Sequence, residues 1–365
     1  MAAILTPRSR APLSQLLRTA RELVDPAVFD FWATRFNPLW TWQRPLARLR
    51  ERRQASADAV TLVLQTNRHF AGLRPGQHVN LGVEVEGARL TRSYSPSAVA
   101  GDRIEITVRE VDGGRVSGYL CRDARVGEVF DLGAAFGNMT LPVAVQGRWL
   151  FLAAGSGITP LMAMLRQLDA AGMPVELDLL YWARTRAELC FADELQALAS
   201  RHAGFTLHLA LTREDDHRGA FAPRIGETDL AALVPHLDQR QVFACGPHGF
   251  VEAARQVLQG RVARFDAEAF TPPQAQPGET GTAEVLLSRS GRTLTVPRDR
   301  PVLQALEEQG LRPASGCRMG ICNTCACTKR EGITRDTRTN ARSAEPDATV
   351  RICISAASSD LTLDL

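Results

Sequence analysis

The stretch CRMGICNTCACTK sets four cysteines, Cys317, Cys322, Cys325 and Cys327, within eleven residues. Such a loop holds a metal, forms disulfides, or does redox chemistry with its own sulfurs. Compartment narrows the choice. The opening residues MAAILTPRSRAPLSQLLRTA lack the apolar run of a signal peptide and are broken by arginines and prolines. A reducing compartment, the cytoplasm, is therefore expected, where a cysteine cluster is more often a metal site than a disulfide frame. Gly316 and Gly320 let the loop turn tightly and aim its N–H groups at sulfur.

Cys317, Cys322 and Cys325 follow C-x4-C-x2-C, the spacing of plant-type 2Fe-2S centres, which take their fourth cysteine from far downstream. Cys327 and Cys353 are the candidates. Cys327 lies two residues past Cys325, too close for both to reach one iron without strain. Cys353 sits on an alternating strand and can close the cage from the opposite side. The expected ligands are Cys317, Cys322, Cys325 and Cys353, with Cys327 beside the cluster. A structural zinc site is the alternative. Zinc pairs usually read C-x2-C twice, and only one such pair is present.

At 365 residues the chain exceeds one ordinary core, and two or three domains are expected. Apolar and charged contents of 45% and 23% are those of a globular protein, and a net charge of +3 argues against a nucleic-acid partner. Among 43 basic residues Lys329 is the only lysine, a composition that a GC-rich genome explains.

The period of the apolar residues divides the chain. Residues 1–52 hold nine arginines and four acids, and with Arg53 ten arginines; their aromatic patch carries Phe29, Phe31, Trp32, Phe36, Trp40 and Trp42. Two readings fit this basic extension. A helix packing its aromatics on the next domain is preferred; the other is a face for an anionic membrane surface or a partner. Residues 53–146 hold short alternating strands separated by glycine turns, which predict a small antiparallel barrel. Over 147–270, buried runs such as RWLFLAAG and VELDLLYWA alternate with helical stretches, the rhythm of a parallel sheet flanked by helices. Residues 271–280, rich in Pro, Gln and Gly, read as a linker. Residues 281–365 open with a hairpin turning at Ser290-Gly291. They continue through one helix, PVLQALEEQG, and the cysteine loop, and close with the strands TVRICIS and DLTLDL. The longest apolar stretch, WLFLAAGSGITPLMAML, is interrupted by glycines and Pro160 and does not read as a membrane span.

Three further stretches carry chemistry. In RSYS, the fork of Arg92 suits a phosphate oxygen, the ring of Tyr94 offers a stacking face, and Ser93 and Ser95 carry small hydroxyls that can hydrogen-bond. GGRVSGYL, with Gly114, Val116 and Ser117, follows the strand RIEITVREV. In FLAAGSGITPLMAML, Gly155, Gly157, Thr159 and Pro160 stand between a buried strand and a helix, where bare amides meet a pyrophosphate. After the second strand of that domain no acid is placed to hold a ribose 2′-hydroxyl, whereas Arg184 and Arg186 are placed to meet a 2′-phosphate. NADPH is favoured, with NADH the alternative.

In order and spacing these stretches resemble the ferredoxin–NADP reductase superfamily. RSYS resembles its R-x-Y-S/T flavin motif, and GGRVSGYL its G-x-x-S segment. GSGITP resembles its G-x-G-x-x-P loop, ACGP (Cys245, Gly246, Pro247) its C-G-P, and AEAF, ending at Phe270, its E-x-F. From about residue 55 the chain is similar to three-domain reductases of the phthalate dioxygenase reductase type. FWATRFNPLWTW resembles the extension on reductases that serve membrane stearoyl-CoA (acyl-CoA) desaturases. The resemblance implies a multidomain chain: an antiparallel β-barrel flavin domain, an α/β parallel-sheet nucleotide domain and an α+β β-grasp ferredoxin domain. It implies FAD rather than FMN, with Tyr94, Ser95 and Phe270 near the flavin and Cys245 beside the nicotinamide. It also implies a route in which NAD(P)H gives a hydride to the flavin, which passes electrons singly to the 2Fe-2S cluster and on to an iron oxygenase. A membrane fatty acyl-CoA desaturase is the expected acceptor, reached from the cytoplasm at the inner membrane face through residues 1–52. A Rieske dioxygenase or haem monooxygenase is the alternative.

Overall fold

The computed structural model describes residues 25–214, 224–271 and 279–365. The first 24 residues, the polar turn around Asp215 and most of the 271–280 linker lie outside the described residues.

Asp25 caps helix α1 (Pro26–Phe36) by accepting from the Ala27 N–H at 2.7 Å, and Pro26 supplies the φ of a first turn. Phe29 meets Trp42 edge to face at 5.1 Å, and the Asp30 carboxylate accepts from the Trp42 N–H at 2.6 Å. Asn67 ties this segment to the next domain, its Nδ2 donating to the carbonyls of Leu39 and Arg44 at 3.1 and 2.9 Å. Of the six aromatics only Phe29 and Trp42 pack as expected; Phe31, Trp32, Phe36 and Trp40 are 54, 57, 82 and 57% exposed. A single contact seam covers one helix face and leaves the others to solvent.

The barrel is built from β1 (Leu46–Ser56), β2 (Ala59–Thr66), β3 (Val79–Val85), β4 (Ala88–Tyr94), β5 (Pro96–Ala100), β6 (Arg103–Arg109) and β7 (Val129–Leu132). It starts at Leu46 rather than at residue 53. The arginine-rich half of β1 is exposed and hides the strand, while Leu46, Ala47 and Leu49 enter the core. The antiparallel order is β4-β3-β7-β1-β2-β6-β5. Its two edge strands, β4 and β5, are separated in the chain by Ser95 alone, so the sheet curls until its edges meet. Ser95 sits at that seam. Helix α2 (Arg115–Arg122) then buries Val116 and Leu120 in the barrel core.

The second body alternates β8 (Arg148–Ala154), α3 (Ile158–Ala170), β9 (Glu176–Ala183), α4 (Ala192–Arg201) and β10 (Phe205–Leu211). A one-turn helix α5 (Leu230–Leu233), β11 (Arg240–Gly246), α6 (His248–Leu258) and β12 (Arg264–Ala269) follow. All five strands are parallel, in the order β10-β9-β8-β11-β12. Trp149, Leu150, Phe151 and Leu152 on the central strand are fully buried, as a sheet covered on both faces requires. The chain winds outward from β8 in one direction and from β11 in the other. The crevice at their C-terminal ends is thus a topological switch point, where ligands bind in such sheets. Arg166 on α3 joins this body to the barrel, holding Glu194 at 2.7 Å and donating to the Ser97 carbonyl at 3.0 Å.

The third body comprises β13 (Thr282–Leu287), β14 (Arg292–Pro297), α7 (Val302–Glu308), β15 (Ala326–Glu331), β16 (Thr334–Asp336) and β17 (Arg342–Ser343). It closes with β18 (Ala348–Arg351), β19 (Ser355–Ala357) and β20 (Leu361–Leu363). The hairpin turns at Gly291, whose φ of +67° suits glycine. A mixed sheet, β14-β13-β20-β15-β18, packs on Leu303 and Leu306 of α7 in a β-grasp layout, beside the small sheet β17-β16-β19. Cys353 does not lie on a strand as expected. The chain breaks after Arg351 into a turn that carries Cys353 between β18 and β19. No helix among the described residues is long and apolar enough to cross a membrane.

Candidate redox site

The four expected cysteines fall into two pairs. Cys317 hydrogen-bonds to Cys322, and Cys353 to Cys325, while Cys327 joins neither and burial pushes its thiol up to about 12. The N–H groups of Met319, Ile321 and Cys322 converge on the Cys317 sulfur at 3.3, 3.4 and 3.4 Å, and the Cys317 N–H reaches the Cys322 sulfur at 3.2 Å. Donors gathered so favour thiolates. Hydrogen bonding from Cys317, aided by Thr324, holds the Cys322 thiol down to about 4 against burial, and Cys353 holds Cys325 to about 7. Arg318 and Asn323 accept left-handed φ of 58° and 56°, strain kept where the loop is functional. Arg318 is locked to Glu307 at 2.8 and 2.6 Å. Two thiolate pairs suit two irons joined by bridging sulfides, one pair to each iron. A lone zinc would instead need all four on one centre.

A cavity of about 440 Å³ opens where the three bodies meet. Arg92, Ser93, Tyr94 and Ser95 line it from the barrel seam, Gly114, Val116 and Ser117 from the start of α2, Thr159 from α3, Phe270 from beyond β12, and Cys317 from the cysteine loop. Flavin-motif residues and an expected cluster ligand therefore share one space. Burial raises the Tyr94 hydroxyl well above its ordinary value. Burial, then the positive charge of Arg318, lowers Arg92. The Arg92 guanidinium donates to its neighbour's carbonyl, Thr91, at 2.8 Å. Two guanidiniums facing a shared, half-buried space fit the phosphate of a flavin nucleotide. Ser117 lines the cavity, but its hydroxyl closes its own helix turn, donating to the Gly114 carbonyl at 3.2 Å and accepting from the Val111 N–H at 3.2 Å.

His78 and Glu268 complete this wall; Glu268 is the acid of the E-x-F match, whose role the sequence left open, and His78 was not legible in the sequence. His78 is 3% exposed, with Nδ1 2.6 Å from the Ser95 hydroxyl. Its Nε2 lies 2.6 Å from a Glu268 carboxylate oxygen, close but off hydrogen-bond alignment. Phe270 stands edge-on 6.3 Å from the imidazole. A single histidine in GQHV has no spacing signal, and only the fold brings Glu268 to it.

The nucleotide motifs meet at the switch point. Gly155, Ser156 and Gly157 turn tightly between β8 and α3, with Thr159 donating back to the Ser156 carbonyl at 3.1 Å and Pro160 buried in the first turn of α3. A Cβ on Gly157 would overlap the Cys245 carbonyl, and one on Gly246 would stand 2.9 Å from the Ala154 Cβ. Bare backbones thus close the crevice, and Pro247 precedes α6 at its rim. The Cys245 side chain does not line the cavity. It is fully buried, its sulfur 3.8 Å from that of Met139, and burial pushes its thiol far up. Glu268, opposite it in the ladder, reaches the cavity instead. Arg184 is already held by Glu188 at 2.7 Å and Asp58 at 3.2 Å, and Arg109 joins the same two carboxylates at 2.5 Å each. Arg186, on the exposed turn after β9, offers its backbone N–H to Glu214 at 2.7 Å.

Family models match in the order of the three bodies: an oxidoreductase FAD-binding domain over residues 46–141, an oxidoreductase NAD-binding domain over 151–256, and a 2Fe-2S iron-sulfur cluster binding domain over 285–358. The NADPH oxidoreductase of Mycobacterium tuberculosis is 34% identical over 358 residues, covering 96% of this chain and 92% of its own. The glycine betaine monooxygenase reductase subunit of Chromohalobacter salexigens is 29% identical over 328 residues, covering 81% of this chain and 89% of its own. Among solved structures, phthalate dioxygenase reductase, described as a modular structure for electron transfer from pyridine nucleotides to 2Fe-2S, is 25% identical with a TM-score of 0.58, covering 88% of this chain and 97% of its own. FAD, a nicotinamide nucleotide and a 2Fe-2S cluster are the cofactors of these domains. With a relative this similar along almost its whole length, the chain belongs to the ferredoxin–NADP reductase superfamily, in the three-domain branch that ends in a 2Fe-2S domain.

Proposed function

We propose that this reductase oxidises NADPH and feeds single electrons to a separate iron oxygenase, with FAD in the barrel cavity and the cluster on Cys317, Cys322, Cys325 and Cys353. One observation carries the reading: the flavin-motif residues and Cys317 line the same cavity, so the path from flavin to cluster needs no domain rearrangement. When bound, the flavin accepts a hydride and releases electrons one at a time to the cluster. The chain's own residues place the parts. Arg92 holds flavin phosphate, and Tyr94 lies along the ring. The Ser95 hydroxyl, oriented by His78 at 2.6 Å, holds a hydrogen bond at the hydride-accepting edge. Phe270 closes the far side and keeps water out. Gly155, Gly157, Gly246 and Pro247 leave room for the nucleotide against bare backbone.

NADPH is preferred because the relative that matches over 96% of this chain is named for it, and because Arg186 is exposed at the end of β9. Arg184 stands on the same turn, engaged by Glu188 and Asp58. The relative named as a monooxygenase reductase subunit supports an oxygenase as acceptor. A membrane acyl-CoA desaturase, met in the cytoplasm at the inner membrane face, is the second reading. The exposed Phe31, Trp32, Phe36 and Trp40 favour it, with Arg35 stacked 4.4 Å over Phe31, an amphipathic face suited to a lipid interface.

Anaerobic titration with NADPH, then NADH, followed by absorption and electron paramagnetic resonance, tests the route. Bleaching of flavin and cluster bands with a reduced 2Fe-2S signal is expected; flavin bleaching alone would overturn the cluster assignment. Co-sedimentation with anionic vesicles separates the acceptors. Equal partition of wild type and a Trp32→Ser, Phe36→Ser double variant would remove the membrane reading.

A further inference from the structure

Barrel and cysteine loop meet through a run of polar groups. Asn80 on β3 stands directly opposite Ser93 on β4. The Ser93 hydroxyl, inside the flavin motif, donates to Asn80 Oδ1 at 2.5 Å. That bond settles which way the amide faces. Asn80 Nδ2 then points across to the loop and donates to Thr324 Oγ1 at 3.1 Å. The Thr324 hydroxyl, having accepted there, lies beside the Cys322 sulfur, the two atoms flanking the space that a Cβ on Gly316 would fill. Both donors run in one sense, from Ser93 toward the cysteine loop, and the first bond polarises the second.

Gly316 shows how close the joint is. A Cβ there would stand 2.8 Å from the Cys322 sulfur, 2.9 Å from Thr324 Oγ1 and 3.2 Å from Asn80 Nδ2. Among the described residues, the bond from Asn80 to Thr324 is the side-chain hydrogen bond that links the barrel to the iron–sulfur domain. We propose that Asn80 is the positioning residue of flavin-to-cluster transfer: its amide seats the cluster loop on the barrel and keeps the Thr324 hydroxyl on the ligand Cys322. The proposal rests on Cys322 being a ligand. Two effects are joined in one side chain. Loss of the seat lowers the population of the docked loop, by roughly fivefold to tenfold for one hydrogen bond. Loss of the orienting donor weakens a hydrogen bond to a sulfur that carries more charge when the cluster is reduced, which shifts the cluster's potential downward.

The test uses the holoenzyme. Asn80→Asp keeps the size of the side chain but offers Thr324 an acceptor, drawing its hydroxyl off the sulfur; Asn80→Ala removes the bridge. Anaerobic mixing with NADPH gives flavin and cluster reduction in one trace. The ratio of cluster to flavin rate is expected to fall about fivefold to tenfold in both variants. The potential, read by dye-mediated titration with the paramagnetic signal, is expected to shift negative in Asn80→Asp and in Thr324→Val, and to stay near wild type in Thr324→Ser. An unchanged ratio and unchanged potential in Asn80→Asp would overturn the proposal. Should Asn80→Ala not fold, an unmoved potential in Thr324→Val would do the same. Retention of the cluster spectrum in Cys322→Ser would instead show that the ligand assignment had failed.

Discussion

Lys329, the only lysine of the chain, is fully buried, and its Nζ donates to the carbonyls of Gly332 and Ser343 at 2.8 and 2.7 Å. A compact ammonium can serve two separate carbonyls where a planar guanidinium fork would not, which gives a physical reason for one lysine among arginines. Lys329→Met leaves both carbonyls unpaired and is expected to destabilise the iron–sulfur domain by about 1–3 kcal/mol, read by melting at the cluster absorbance. Burial lowers the Lys329 pKa, opposed in part by Glu345. The unfolded chain therefore binds the proton more tightly than the folded one. Just below the ordinary lysine value of about 10.4, wild type gains stability relative to the methionine variant as pH rises. His78 acts on the other half of the molecule. His78→Phe strips Ser95 of its 2.6 Å partner, and flavin reduction by NADPH is expected to slow about tenfold, while the cluster signal after dithionite reduction is unchanged.

At the scale of elements, turns matter more than the strands they join. The turn after β18 carries Cys353 to Cys325, whereas Cys327, on β15 opposite Val350, is held away from both cysteine pairs. Cys353→Ser is expected to abolish the cluster absorbance and Cys327→Ser to retain it. The Gly155–Gly157 turn has a different constraint, close approach to β11. Gly157→Ala sets a methyl group into the Cys245 carbonyl, at about 1–3 kcal/mol of overpacking. Its expected signature is a KM for NADPH raised at least tenfold with the cluster spectrum intact, measured by steady-state kinetics.

Across the whole molecule, charged side chains join the bodies beside an apolar seam in which Ala59, Met139 and Leu141 pack into the core of the nucleotide domain. Arg166 spans from α3 to Ser97 on the barrel, and Arg109 from the barrel to Glu188 beyond β9. Arg109 lines the cavity that must hold flavin and nucleotide in register. Arg166→Ala releases Glu194, leaves Glu105 to Arg53 alone and loosens the joint between α3 and the barrel. Flavin reduction is expected to slow by roughly fivefold, in line with one charged hydrogen bond, with melting of the iron–sulfur domain unaffected.

Residue types and spacing alone carried much of this protein: three bodies in order, C-x4-C-x2-C with Cys353, and the glycines at the switch point. Each is a constraint on local backbone, on period, φ or reach, and such constraints are written in neighbouring residues. The arginine-rich run of β1 was lost because its exposed half carries no strand signal. Tertiary structure alone decided the rest. It turned Cys245 into the core and Glu268 into the cavity, and left four aromatics of α1 in solvent. It also set His78 against Ser95 and Asn80 against Thr324. Those outcomes depend on which face of an element meets which neighbour, and partners so distant in the chain are chosen by topology and packing, not by any motif.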